Sequence, residues 1–249
     1  MKKLLLVTTL VLSTSVMAAP AIPKSQMIGS FTVEEVSPAQ YKAFNGTEVG
    51  GIAGGQTNPE VPGPAKPTLS DRVEQTGKVI QTARDMVALG EAIYELVKKG
   101  KPTNVTEYAP ISVVPRDPTT KEIADIFDME GFSMPVEKNY VAKVKNGVGK
   151  EVVNFSYKVL YSYGGSYNGA GKYLTNVLIV PGSVRTTFGW EFNATMKLSG
   201  MMNHGTKADP VAGVMVTVKY QMNSWSAAFE RNDTIHVTGR GEIKNMNVQ

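Results

Sequence analysis

Apolar and polar residues alternate with a period of two through much of the second half of the chain. Val153, Phe155, Tyr157, Val159, Tyr161 and Tyr163 occupy odd positions, with Asn154, Ser156, Lys158 and Ser162 between them. Even positions carry Phe188, Trp190, Phe192, Ala194, Met196 and Leu198 against Thr187, Glu191, Asn193, Thr195 and Lys197. The rhythm returns in Val214, Val216, Val218, Tyr220 and Met222, and again in Ile235, Val237, Gly239, Gly241 and Ile243. Alternation of this kind predicts strands with one buried face. Asn146-Gly147, Pro181-Gly182, Asn203-His204-Gly205 and Asn232-Asp233 read as the turns between them. The fold class that follows is mainly β: an antiparallel β-sandwich or small barrel of about seven strands. Residues 136–244 supply most of it, with a further extended stretch over 103–118.

Upstream the period differs. Over 70–99, Val73, Ile80, Ala83, Val87, Gly90, Tyr94 and Val97 recur at helical spacings, and Val79, Met86 and Ile93 widen the stripe. Thr68 or Ser70 would cap the start, and Gly100 and Pro102 would stop the end. The spacing predicts one long N-terminal helix packed on the sheets. Thr119 and Glu122 form a capping-box pattern that predicts a short helix over 119–129, burying Ile123, Ile126 and Phe127. Helix and sheets together make a single domain over 70–249.

Residues 19–69 read as an extended or disordered arm, because seven of the chain's 14 prolines fall there, together with a Gly-rich run around Gly50–Gly55. Ile28 to Val33 is the exception. It predicts a short strand for an edge of its own domain or of a neighbouring molecule. Residues 1–18 have the form of a secretory leader. Met1-Lys2-Lys3 precedes an apolar run from Leu4 to Leu12, and the small residues near Ala18 suit cleavage after it. The run is about half the ~20 residues a membrane span needs. The expected location is outside the inner membrane, periplasmic or secreted, and the short Lys-Lys leader reads as bacterial.

The chain holds 26 Lys+Arg against 22 Asp+Glu, so charge alone is weak and nucleic acid is not an expected partner. There is no cysteine, so neither a disulfide nor a lipidated cysteine contributes. Lys98, Lys99 and Lys101 form the densest basic cluster, placed by the pattern at a helix C-terminus.

Known catalytic patterns fail in turn. Gly164-Gly165-Ser166-Tyr167-Asn168-Gly169-Ala170-Gly171-Lys172-Tyr173 is like a phosphate-binding loop, but Ser166 and Tyr173 stand where Gly and a hydroxyl ligand belong. His204 and His236 are the only histidines, too few and too far apart in sequence for a zinc site, and both read as exposed polar residues. No Gly-x-Ser-x-Gly and no paired acids stand out. Asn-x-Ser/Thr triplets at Asn45, Asn104, Asn154, Asn193 and Asn232 carry no assigned role. No cofactor or metal is expected.

What remains is the loop's aromatic and amide content. Ser166, Tyr167, Asn168 and Tyr173 are the candidate ligand-binding residues, since tyrosines stack on sugar rings while amides and hydroxyls hydrogen-bond. The sequence therefore implies a non-enzymatic binding or assembly protein. Its expected partners are a glycan or cell-surface component, or another copy through arm 19–69. A membrane-acting or pore-forming protein is the second reading, and a hydrolase without a recognisable motif the third.

Overall fold

The computed structural model describes residues 22–46, 79–103 and 108–246. The expected leader, the arm's Gly-rich run at 50–55 and the first residues of the expected long helix lie outside them. Two antiparallel sheets pack face to face and no barrel closes. The strands are β1 (Ile28–Val36), β2 (Val79–Thr82), β3 (Met86–Leu89), β4 (Ile93–Lys98), β5 (Lys101–Pro102), β6 (Ile111–Pro115) and β7 (Val136–Asn146). They continue with β8 (Glu151–Tyr167), β9 (Ala170–Thr186), β10 (Trp190–Asn203), β11 (Ala212–Ser224), β12 (Ala228–Thr238) and β13 (Ile243–Asn245). One sheet runs β1-β7-β8-β9-β6-β3-β2 and the other β13-β12-β11-β10-β4-β5.

The period-two reading explains the core. Phe155, Tyr157, Val159 and Tyr161 of β8 are buried, as are Phe192, Ala194 and Met196 of β10 and Val214, Val216, Val218, Tyr220 and Met222 of β11. Across the interface, Phe155 meets Phe192 at 5.4 Å between ring centroids. The Tyr220 hydroxyl donates to that of Tyr157 at 3.1 Å. The Tyr94 hydroxyl accepts the Ile179 N–H at 2.9 Å, tying β4 to β9. Each large side chain buried this way contributes roughly 1.5–3 kcal/mol. An ion pair with one buried partner sits beside them: the half-buried Arg231 Nε lies 2.9 Å from the fully buried Asp233 Oδ1, and its guanidinium stacks over Phe31 at 4.6 Å.

Several expectations are corrected. From residue 79 on, the expected long helix is instead β2, β3 and β4. β3 is buried at all four positions, and β4 alternates, with Tyr94 and Leu96 in and Ile93 and Glu95 out. Short apolar runs rich in β-branched residues satisfy both periods, and Gly90 decides between them. It adopts φ +128°, and a Cβ there would lie 2.5 Å from the Pro110 carbonyl oxygen. The chain must turn at that point, as no helix does. Accordingly Lys98, Lys99 and Lys101 flank a β4–β5 turn rather than a helix end.

Nor does 119–129 form the expected helix. Asp117 accepts from the Thr119 and Thr120 N–H groups, which closes a turn, and only Ile126–Asp128 makes a 3-10 turn. Ile123 and Phe127 are exposed rather than buried, because without the helical turn it is Ala124 and Met129 that face inward.

Within the arm, residues 22–46 are described and hold a strand and a helix. β1 pairs antiparallel with β7 of the same chain, the intramolecular form of the expected edge pairing. The α-helix among the described residues, α1 (Pro38–Gly46), lies in this arm. It covers the outer face of β8 and β9, where Asn45 Oδ1 accepts from Ser156 Oγ and Ser183 N, each at 2.8 Å. Pro181-Gly182 is consequently no turn. Gly182 sits inside β9 because a Cβ there would collide with Tyr41 and Ser156 under α1. Asn232-Asp233 is likewise inside β12, with Asp233 fully buried on Arg231. The real turn falls at Trp225–Ala227, closed by the Ala227 N–H on Ser224 Oγ. Phe188, in phase with the β10 core, sits in the turn before that strand and is exposed.

Candidate functional site

One end of the sandwich gathers loops from both sheets. The β8–β9 hairpin tip lies there, with Asn168 and Gly169 at φ +52° and +73°. These left-handed angles make a tight two-residue turn that Asn-Gly favours. The β2–β3 turn (Arg84, Asp85), the segment after β6 (Arg116 to Lys121) and the β10–β11 loop (Lys207 to Pro210) converge on it. Between them is a cleft of about 500 Å³.

Three of the four sequence-nominated residues line it: Tyr167, Asn168 and Tyr173. Ser166 does not. Its backbone exchanges two hydrogen bonds with Glu130, at 2.8 and 3.1 Å, and its hydroxyl turns toward the Glu130 carbonyl on the strand's other side. Tyr167 donates to Asp117 Oδ2 at 3.2 Å. Asp117 in turn is held below the usual carboxylate range by the N–H groups of Thr120 and Thr119. Tyr173 is buried, and burial together with Asp85 and Asp209 pushes its phenol up to about 12, so it remains a neutral donor. Gly171 is required here: it adopts φ +84°, and a Cβ would strike the Tyr173 ring.

The charged wall was not legible in the sequence. Arg84, Arg116, Lys121 and Lys207 line the cleft together with Asp85 and Asp117, so cations predominate in its lining. These residues come from three segments far apart in sequence, and only the fold assembles them. The loop carrying Lys207 is preorganised. Asn203 Oδ1 accepts from Gly205 N and Val211 N at 2.8 and 2.9 Å, and Asp209 Oδ1 accepts from Gly171 N at 2.9 Å.

The histidines, read as separate exposed residues, are neighbours. His204 Nε2 and His236 Nε2 lie 3.0 Å apart, one ring donating to the other. Their approach is possible because residue 213 is Gly; a Cβ would collide with the His204 ring. Burial and His204 push the His236 imidazole below its usual value, with Glu242 opposing. Among the described residues no group of three or more His, Asp or Glu is arranged to hold a metal ion.

The arrangement can bind an anionic, partly planar ligand by stacking, hydrogen bonding and charge. No protein-family model, no curated protein and no solved structure matches this chain.

Proposed function

We propose that this is an exported, non-enzymatic binding protein whose cleft takes an acidic saccharide of a cell surface. The carrying observation is the half-exposed Tyr167 ring beside four cationic side chains around one rigid concavity, with buried Tyr173 beneath it. Tyrosine faces suit sugar rings, and Arg and Lys suit carboxylate or sulfate substituents. A binding role rather than hydrolysis is favoured by Asp117. Glycoside cleavage needs a general acid with a raised pKa, and Asp117 is pushed the other way. Export is supported by the leader-like pattern of residues 1–18.

Calorimetric titration with polygalacturonate or heparin oligosaccharides, against neutral dextran, tests this reading. It expects binding of the acidic sugars only, weakened by salt and by Tyr167→Ala. Equal binding of dextran, or acidic-sugar binding indifferent to Tyr167→Ala, overturns it, as does no binding across an acidic-glycan array.

A further inference from the structure

At the end opposite the cleft, three hairpin turns project side by side: 146–150 between β7 and β8, 187–189 between β9 and β10, and 225–227 between β11 and β12. Each carries a large apolar residue at its tip. Val148 is 62 % exposed, Phe188 89 % and Trp225 74 %. Phe188 and Trp225 meet edge to face, with ring centroids 5.8 Å apart. An apolar patch at the apex of a polar-skinned sandwich marks an interaction site.

The turns hold these side chains outward. Asn146 Oδ1 accepts from Val148 N and Lys150 N at 3.2 and 2.9 Å. Trp190 N donates to Thr187 O at 3.1 Å, with Gly189 at φ +83°. Ser224 Oγ donates to Gln26 O at 2.9 Å and accepts from Ala227 N at 3.1 Å. These bonds fix the backbone of the turns that carry the tips.

Charge identifies the occupant. The 3-10 turn bearing Lys24 packs here, because Gly147 N donates to Lys24 O at 3.0 Å. So does the β4–β5 turn, since Gly100 N donates to Phe192 O at 2.8 Å. Lys24, Lys99, Lys101 and Lys150 are exposed and make no ion pair with any described residue. The acids at this end are Glu95, which pairs with Lys98 at 3.2 Å, Glu151, which accepts from Asn154 at 2.7 Å, and Glu191. A shallow hollow of about 290 Å³ lies between the tips, lined by Ser25, Gln26, Asn146, Lys150, Phe188 and Trp225.

We propose that this apex docks on an anionic phospholipid surface. Val148, Phe188 and Trp225 enter the headgroup–acyl boundary, where Trp is favoured, and the lysines meet phosphates. The convex, three-pronged shape with a lysine rim suits a deformable layer. A rigid protein partner would have to supply about 800 Å² of matching concave surface.

The test is co-sedimentation of the full chain with vesicles of phosphatidylglycerol and phosphatidylcholine, or of phosphatidylcholine alone, while tryptophan emission is recorded. Expected are binding to the anionic vesicles, a blue shift from Trp225, and at least a tenfold loss of binding in Phe188→Ser/Trp225→Ser. Each of Lys99→Ala and Lys150→Ala should weaken binding by up to about fivefold. The aromatic variant also controls for attachment through any other segment, the apolar leader included. Its circular dichroism and acidic-saccharide binding should match the parent protein, which separates this result from the fate of the cleft. No binding to anionic vesicles, or binding that the aromatic variant retains, overturns the proposal. So does light scattering that shows self-association lost in Trp225→Ser, which would assign the apex to a second copy.

Discussion

The two ends of the sandwich both carry more cations than anions, yet they differ in shape and in what surrounds the charge. At the cleft, Arg84, Arg116, Lys121 and Lys207 ring a concavity floored by Tyr167 and Tyr173. At the apex, Lys24, Lys99, Lys101 and Lys150 surround three projecting apolar tips. Positive charge alone therefore does not specify a ligand. A concave wall with the Tyr167 ring at its base presents a stacking face and donors to a discrete molecule, whereas protruding Phe and Trp gain only by leaving water together. The same strands join both ends, so a molecule docked by its apex would hold its cleft away from the surface.

The most damaging test of that two-ended picture strikes the frame. Arg231→Met removes the cation beside fully buried Asp233 and should cost about 3 kcal/mol, lowering Tm by roughly 10 °C in a domain of this size. Thermal unfolding followed by calorimetry would read it, and both ends should fail in one transition. Separate transitions would break the premise of a rigid connection.

A narrower test targets the cleft. Gly171→Ala places a Cβ against the Tyr173 ring at a positive φ and should introduce roughly 1–2 kcal/mol of local strain. Acidic-saccharide affinity, measured by titration, should fall up to about tenfold while vesicle binding stays unchanged. Lys207→Ala should have a smaller effect, about two- to fivefold and largest at low salt, since the side chain is exposed.

The smallest effect concerns pH. His236 is held below its usual value in the folded protein, so the unfolded chain binds its proton more readily. The stabilisation is complete above the unfolded value near 6.5 and is lost as pH falls through the depressed one. Tm should decline from pH 7.5 to 5, and His236→Asn should flatten that slope. Hydrogen exchange would place the acid-induced loosening at the 203–211 loop and leave the apex unaffected.

Long alternating strands were legible in the sequence because burial on one face imposes the period directly, as in β10 and β11; β8 keeps the alternation in polarity although α1 covers part of its outer face, where Ser156 bonds Asn45. The stretch from Val79 to Lys98 was not, because runs such as Met86-Val87-Ala88-Leu89 are buried on both faces and lose the alternation that marks a strand. Phe188 was in phase but outside its strand; exposure at a turn leaves no trace in periodicity. Asn232-Asp233 resembles a turn by composition, yet the Arg231 guanidinium, donating to Asp233 Oδ1 at 2.9 Å, lets a carboxylate sit inside β12. At the candidate site, Tyr167, Asn168 and Tyr173 were visible because they share one hairpin. The cations opposite them and the His204–His236 contact arise from segments that meet only in three dimensions.

Amide hydrogen-exchange footprinting with each ligand in turn tests the two-ended account most directly. Acidic oligosaccharide should protect residues around 115–121, 167–173 and 207–211, and anionic vesicles should protect 146–150, 187–190 and 224–227. Overlapping footprints, or vesicle protection centred on the cleft loops, would contradict it.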